Sequence, residues 1–418
     1  MKKYLVYLLC PFFIAAANAQ ESADTQALRD YADKCGKKIG VAVPVWRIDV
    51  NNDGLAETQA VYNNFNILVA ENEMKIESLQ PNRGQFEFYH GDNLVNFAER
   101  HGMTVRGHTL CWHKQVSGWI SSDGGQKNDH NYSREELLEI LKDHITTVVT
   151  HYKGRVHEWD VVNECLADDQ TIVNTHPAAY ALRPSVWYTG IGEDFIDSAF
   201  VYAHRADPDA KLYLNDYGVE MQGSAKTQAY YNLARRLQKS GIPIDGVGLQ
   251  CHLTVGELDS AKFDNNVKRY ASLGLTCIVT ELDMSIPDLG AADAYEKQAA
   301  EYRTIANVLI KYDHCPNLVI WGVKDDQSWR GGEPLLFNAA MQAKPAFYAL
   351  YDVYKEYAEN LPAGIESTAA DTVGELPPFV DVYDLMGRSV AKQMPRERIY
   401  DLPAGLYIID QKKMAITH

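Results

Sequence analysis

The chain has 418 residues, 46% of them hydrophobic and 23% charged, which fits one large α/β domain with a real core and leaves room for a small extra unit. Its net charge of −16 disfavours nucleic acid and anionic lipid as partners but leaves neutral polymers such as polysaccharides open.

Residues 1–19 read as a signal peptide. Lys2 and Lys3 form the charged start, Tyr4 to Ala17 a short apolar stretch, and Ala17-Asn18-Ala19 a small-x-small cleavage site. The apolar stretch is too short to span a bilayer, and no other is long enough, so membrane insertion is not expected. A lipoprotein anchored at Cys10 would need small residues before it, where Leu8 and Leu9 stand. Loss of the leader removes Lys2 and Lys3 and makes the chain two units more acidic. It also leaves Cys35, Cys111, Cys165, Cys251, Cys277 and Cys315. Their wide spacing argues against a zinc cluster. Disulfides are permitted in an exported protein, but spacing assigns no pairing, and free buried thiols are an equal alternative. The expected location is secreted or cell-surface.

Apolar, β-branched runs separated by helical stretches follow. The expected strands are Ile39–Val43, Phe65–Val69, Thr104–Gly107, Glu158–Val162, Lys211–Leu214, Gly246–Leu249, Thr276–Val279 and Leu318–Trp321. Most are continuous rather than alternating, which suits strands buried on both faces of a parallel sheet. Helical patterns cover Asp92–His101, Arg134–Tyr152, Glu193–Arg205, Ser224–Lys239, Ala261–Leu273 and Ala292–Tyr312, and Pro345–Glu359 supplies a closing helix. Ser133 with Glu136 forms a capping box, and Gly102 and Gly241 sit where helix-terminating glycines belong. This alternation predicts a (β/α)8 TIM barrel over residues 20–360. Between the first two strands, Asn51-Asn52-Asp53-Gly54 resembles half of a calcium loop, but without the full spacing or the distal Glu it reads as a surface turn.

Residues 361–378 are rich in Pro, Gly, Ser and Thr and read as a linker. Beyond it, Phe379–Tyr383, Ile399–Leu402 and Leu406–Ile409 look like short strands, with turns at Met386-Gly387 and Ala404-Gly405. They give a small β module over residues 379–418.

In barrels of this kind the active site lies at the C-terminal ends of the strands. Polar and aromatic groups stand at seven of the eight expected ends. They include Glu71-Asn72-Glu73-Met74-Lys75, then His108 with Trp112 and His113, then Asn163-Glu164, and Asn215-Asp216-Tyr217. Gln250 and His252 follow, then Glu281 and Asp283, and Trp321 with Lys324, Asp325, Asp326 and Trp329. There is no elbow-glycine nucleophile motif and no phosphate-cradling loop. A metal site would need His108, His113, His252 and carboxylates to converge, yet none has tight ligand spacing. Two carboxylates on non-adjacent strands, with Trp and Tyr around them, suit sugar chemistry.

These runs carry a resemblance. Glu71-Asn72-Glu73-Met74-Lys75, Arg106-Gly107-His108-Thr109-Leu110-Cys111-Trp112-His113, Trp159-Asp160-Val161-Val162-Asn163-Glu164, Val279-Thr280-Glu281-Leu282-Asp283 and Ser328-Trp329-Arg330 occur in that order. Over residues 35–358 the chain resembles glycoside hydrolase family 10 xylanases. The resemblance implies endo-acting, retaining hydrolysis of β-1,4-xylosidic bonds, with Glu164 as acid/base and Glu281 as nucleophile, and no metal or cofactor. It implies that Asn163 bonds a sugar 2-hydroxyl and that His252 and Asp283 orient the nucleophile. Glu71, Asn72, Lys75, His108, Trp112 and Gln115 become glycone-side binding residues, and Gln250 joins the substrate-binding set. Trp321 and Trp329 become aromatic walls, and Tyr217 a stacking face on the aglycone side. Core packing is the other reading of Trp321, and a hydrogen-bonded structural role that of His113. Gly218 departs from the family, which often has Asn there, and the Arg330–Pro345 loop looks short. Xylan and xylo-oligosaccharides are the implied partners, and a monomer is expected. A β-1,4-glucanase or mannanase on the same barrel, or a non-catalytic xylan-binding barrel, are the alternatives.

The tail carries a second resemblance. Val382-Tyr383-Asp384-Leu385-Met386-Gly387-Arg388 and Leu402-Pro403-Ala404-Gly405-Leu406-Tyr407-Ile408-Ile409 are similar to the C-terminal sorting domains of type IX secretion, which implies a secretion machinery as partner. The other reading is a small β module that only trails the barrel, leaving the protein periplasmic.

Overall fold

The structure, a computed structural model, describes residues 27–48, 53–170, 180–361, 367–368, 376–384, 388–402, 405–409 and 412–416. The leader at 1–19, Asn51, Asn52 and the Met386-Gly387 turn lie outside the described residues.

The chain enters through α1 (Leu28–Lys34) and β1 (Lys38–Val43), then α2 (Ala56–Asn64) and β2 (Ile67–Ala70). The short α3 (Ile76–Leu79) and α4 (Tyr89–Arg100) precede β3 (Thr104–Cys111), and α5 (Arg134–His151) precedes β4 (Val156–Asn163). Next come α6 (Val186–Ile191), α7 (Phe195–Ala206), β5 (Lys211–Asp216), α8 (Ala225–Lys239), β6 (Gly246–Leu249) and the short β7 (His252–Thr254). The closing elements are α9 (Ser260–Tyr270), β8 (Thr276–Ser285), α10 (Ala294–Ile310), β9 (Asn317–Ile320) and α11 (Pro345–Glu359).

The strands pair in parallel in the order β6-β5-β4-β3-β2-β1-β9-β8, and β6 pairs back onto β8, so the sheet closes as the expected (β/α)8 barrel. Closure aims every strand's C-terminal end at one mouth. Ser133 caps α5 with the reciprocal Glu136 contact, and Gly102 and Gly241 take positive φ of 62° and 70° after α4 and α8.

Five strands, β2, β3, β4, β5 and β8, run past their expected ends, and the reason bears on the site. β8 was expected to stop at Val279 but continues to Ser285, because β7 joins it there in register His252↔Asp283. Likewise β3 reaches Cys111 rather than Gly107. His108, Glu281 and Asp283 therefore lie within strands, whose ladder bonds hold them more firmly than a loop would. α2, which follows the turn-rich insertion, has no counterpart among the expected helices.

Between barrel and helices lies one large apolar layer, and inside the barrel sits a smaller cluster of Ala42, Ile67, Val69, Val319 and Trp321. The barrel also encloses charge. Arg106 binds Asp160 through both terminal nitrogens and lies 3.6 Å from Glu158, and Asn317 donates to Glu158 at 2.8 Å. Gly107 is required where it stands, since a Cβ there would lie 2.2 Å from the Trp159 ring on β4. Among the described residues no disulfide forms, and five of the six cysteines beyond the leader are buried.

The tail forms a separate sheet, β10-β14-β13-β11-β12, from β10 (Ser367–Thr368), β11 (Phe379–Tyr383), β12 (Ser389–Pro395), β13 (Gly405–Ile409) and β14 (Lys412–Ile416). Its core gathers Leu376, Val380, Val382, Ile399, Leu402 and Ile409. Two expectations change. Ser367–Thr368, expected within the linker, pairs with β14. Residues 396–401, including most of the expected strand Ile399–Leu402, form a 3-10 helix. Three residues per turn bring Ile399 and Leu402 to one face, where both are buried.

Candidate active site

The strand ends open into a cleft of about 400 Å³. Of the residues expected to act or bind, all but Asp283 line it, and Lys114 lines it as well. Asp283 is fully buried behind His252.

Glu281 lies on β8, buried at 4% exposure. Its Oε1 accepts 2.7 Å from Asn215 Nδ2 on β5, and its Oε2 lies 3.1 Å from His252 Nε2. The other His252 nitrogen is 2.9 Å from Asp283 Oδ2. Asp283 also accepts from Arg330 at 2.7 Å and from the Trp329 indole at 2.9 Å. Burial alone would lower the His252 pKa, but its two carboxylate partners prevail and raise it to about 10. Burial alone would raise that of Glu281, but the His252 hydrogen bond and the His108 charge prevail and lower it. The arrangement is an imidazolium clamped between two carboxylates, with Glu281 held ionised.

Glu164 follows β4 and turns the chain sharply, with φ of 52°. Its N–H donates to the Asn215 carbonyl at 2.8 Å, and Arg183 Nε holds its own carbonyl at 3.2 Å. Gln250 Nε2 donates to its Oε1 at 3.3 Å, while its Oε2 is buried without a partner. Asn163 Oδ1 accepts both from Asn215 at 2.9 Å and from Gln250 at 3.2 Å. Side-chain amides thus link the two glutamates in one chain: Glu281, Asn215, Asn163, Gln250, Glu164.

His108 sits beneath this chain, with Nδ1 2.9 Å from Asp160 Oδ2 and 4.0 Å from Glu281 Oε1. His108, Asp160 and Glu281 lie close enough together to be tested as a metal triad. The donor set does not fit one, because the Arg106 guanidinium already takes both Asp160 oxygens. His113 is not the hydrogen-bonded structural residue considered above. Its Nδ1 is buried without a partner, 3.8 Å from Glu164 Oε2, and desolvation lowers its pKa to about 3.

On one side of the cleft, Lys75 Nζ donates to Asn72 at 3.1 Å and Gln115 at 2.8 Å and lies 4.9 Å from the Trp112 ring centre. Burial lowers its pKa against the pull of Glu281 and Glu71. Burial raises that of Glu71. The Trp112 indole N–H is buried without a partner. Trp321 belongs both to the barrel-interior cluster and to the cleft, so packing and lining are one position. Trp329 is 64% exposed.

On the other side, the Tyr217 hydroxyl accepts from Arg183 at 2.7 Å and donates to Asp168 at 2.9 Å, and Lys226 Nζ stands 3.5 Å over its ring. Gly218 has φ of 66° and offers no side chain beside it. After Trp329 the loop folds back through Arg330, whose guanidinium also reaches the Leu253 carbonyl at 2.8 Å.

Sequence reasoning left Asn215, Asp160 and Arg330 out of the site. A signal was present for Asp160, a charge inside the apolar run Trp159-Asp160-Val161-Val162. Asn215 belonged to a run already noted at a strand end. Nothing in the sequence pointed from Arg330 to Asp283.

Residues 27–353 match the profile of glycosyl hydrolase family 10. The chain is 42% identical over 327 residues to endo-1,4-beta-xylanase A of Thermoanaerobacterium saccharolyticum, covering 76% of this chain and 27% of that protein. It is 36% identical over 338 residues to endo-1,4-beta-xylanase B of Thermotoga neapolitana, covering 79% of this chain and 92% of that one. The match thus spans about a quarter of the first relative's length and nearly all of the second's. Xylanase 10B of Thermotoga petrophila, solved in complex with xylobiose, superposes with a TM-score of 0.71 at 37% identity, over 79% of this chain and 98% of that one.

Proposed function

The chain belongs to glycosyl hydrolase family 10, and we propose that it is an endo-β-1,4-xylanase that retains anomeric configuration, with Glu281 as nucleophile and Glu164 as acid/base. The observation that carries this reading is the amide chain joining the two glutamates in one cleft. Glu281, ionised between Asn215 and His252, attacks the anomeric carbon while Glu164 protonates the leaving oxygen. A covalent xylosyl-enzyme forms. Glu164, now a base, takes a proton from water, which attacks the same carbon and releases Glu281.

The surrounding residues take supporting parts. Both donors to Asn163 occupy its carbonyl oxygen, which frees its NH2 for the sugar 2-hydroxyl. His252, held by Asp283, keeps Glu281 charged. Glu71, Asn72, Lys75, His108, Gln115 and Gln250 offer donors and acceptors to hydroxyls. The unpartnered Trp112 indole offers one donor more. Trp321, Trp329 and Tyr217 offer flat apolar faces to pyranose rings. No step requires a metal or cofactor. The deciding assay is hydrolysis of xylan followed by proton NMR of the first-formed reducing end. A β-anomer from the wild type and no product from Glu281→Ala support the reading. An α-anomer, or an active variant, overturns it.

We also propose that the protein acts as a monomer outside the cytoplasm after loss of residues 1–19. In this division the barrel spans 20–360, a linker 361–378 and a small module 379–418. The leader pattern supports export, and the tail's resemblance to sorting domains supports passage through a secretion machinery. Fusion of residues 365–418 to a periplasmic reporter, in a host with that machinery, tests the second point. A reporter retained in the periplasm counts against it.

A further inference from the structure

β1 lies between β2 and β9 in the barrel. The loop leaving β1 therefore rises between two walls of the cleft. One is the loop after β2, which carries Glu71 and Asn72, and the other follows β9 and carries Trp329. That loop begins with a tight turn, Arg47 N–H to the Pro44 carbonyl at 3.0 Å, and Val45 N–H ties it to Glu73 Oε1 at 2.7 Å. Further on, Glu57 of α2 accepts from Gln327 at 3.1 Å and lies 3.8 Å from Lys324, which pins the segment to the β9 side. The Arg47 charge acts on both Glu71 and Glu57, so the turn is near both walls.

At the tip of this anchored turn stands Trp46, 66% exposed, as open as the cleft-lining Trp329 at 64%. Water solvates so large an apolar surface poorly. Its neighbour Val45 is tied to Glu73, next to the cleft-lining Asn72, so the ring offers a platform for the apolar face of a sugar.

We propose that Trp46 forms a further sugar-binding subsite on the glycone side, where it stacks a xylosyl unit beyond those held by Glu71, Asn72 and Trp329. The proposal rests on the xylanase reading above. It makes the cleft longer than the catalytic mouth and gives it a preference for longer chains. The Val45–Glu73 hydrogen bond ties the backbone beside Trp46 to the wall that carries Asn72 before substrate arrives.

The test compares wild type, Trp46→Ala and Trp46→Phe as full chains. One arm measures kcat/KM on xylobiose through xylohexaose and the product pattern from each. The other measures xylohexaose binding by calorimetry in a Glu281→Ala background, where turnover does not interfere. The expected result for Trp46→Ala is a kcat/KM loss of about three- to tenfold confined to the longer oligosaccharides. The preferred cleavage position should shift, binding should weaken by a similar factor, and Trp46→Phe should recover most of the effect. Equal kcat/KM and binding at every length would overturn the proposal, as would a loss that is uniform with chain length. A wild type that cleaves none of the oligosaccharides would overturn the enzyme reading instead, and the binding arm would still decide the role of Trp46.

Discussion

His252 stands opposite Asp283 in the β7–β8 register, with Nδ1 2.9 Å from the Asp283 carboxylate and Nε2 turned to Glu281 at 3.1 Å. Two adjacent strands thus do what a loop would do loosely: they set both nitrogens of one ring against two fixed carboxylates. With an acceptor at each nitrogen, both carry protons and the ring's charge follows from that placement.

The first prediction concerns pH. The folded pKa of His252 is raised to about 10 from an ordinary value of 6.5. A raised pKa means that the folded state binds the proton more tightly. Its stabilisation is fully present below about pH 6.5 and is lost as pH rises through about 10. Thermal unfolding between pH 7 and 11 should show that loss. In Asp283→Asn one carboxylate partner is gone, so the loss should be smaller and complete at lower pH. Identical profiles for variant and wild type would contradict the assignment.

The second concerns the paired glutamates. Glu164→Gln should lower kcat on xylan by about 10²–10⁴-fold, the range for a general acid. With an aryl xyloside whose leaving group needs no proton, the first step should be affected far less. Equal losses on both substrates would remove Glu164 from the acid role.

The third concerns Asn215, whose single NH2 serves both Glu281 and Asn163. Asn215→Ala takes a hydrogen bond from a charged group, worth about 1.5–3 kcal/mol. The expected loss in kcat is about ten- to a hundredfold, with a circular dichroism spectrum unchanged from wild type. Asn215→Asp should be worse, since it sets a like charge against Glu281.

The fourth concerns stability. Arg106 and Asp160 are both buried, and Arg106→Met leaves Asp160 without its strongest partner. Removal of one member of a buried pair costs about 3–5 kcal/mol, readable as a lower urea midpoint. A midpoint equal to wild type would show that His108 and the Asp160 environment compensate.

Much of the fold was legible because its signals are local. Continuous apolar runs such as Gly246–Leu249 mark buried parallel strands, and Pro345 with the pattern to Glu359 marks a helix, and both have those bounds in the structure. Where the signal was local but misleading, the reading failed. Ile399 carries a β-forming side chain, yet burial of Ile399 and Leu402 on one face of a 3-10 turn prevailed. Ser367–Thr368 looked like linker because its pairing partner, β14, lies more than forty positions away.

The sequence by itself determined the order of the motifs and the chemical types available at the mouth: two glutamates on separate strands, with amides, histidines and indoles beside them. Periodicity and residue chemistry travel with the chain and need no folding to be read. Only the tertiary structure decided which of these groups touch. It extended β8 beyond Val279 to bring Asp283 against His252. It chose Asn215 to bridge Glu281 and Asn163, sent Arg330 to Asp283 and left Trp46 exposed on the turn after β1. Those contacts join residues up to 66 positions apart and arise from barrel closure and strand register, which no local pattern encodes.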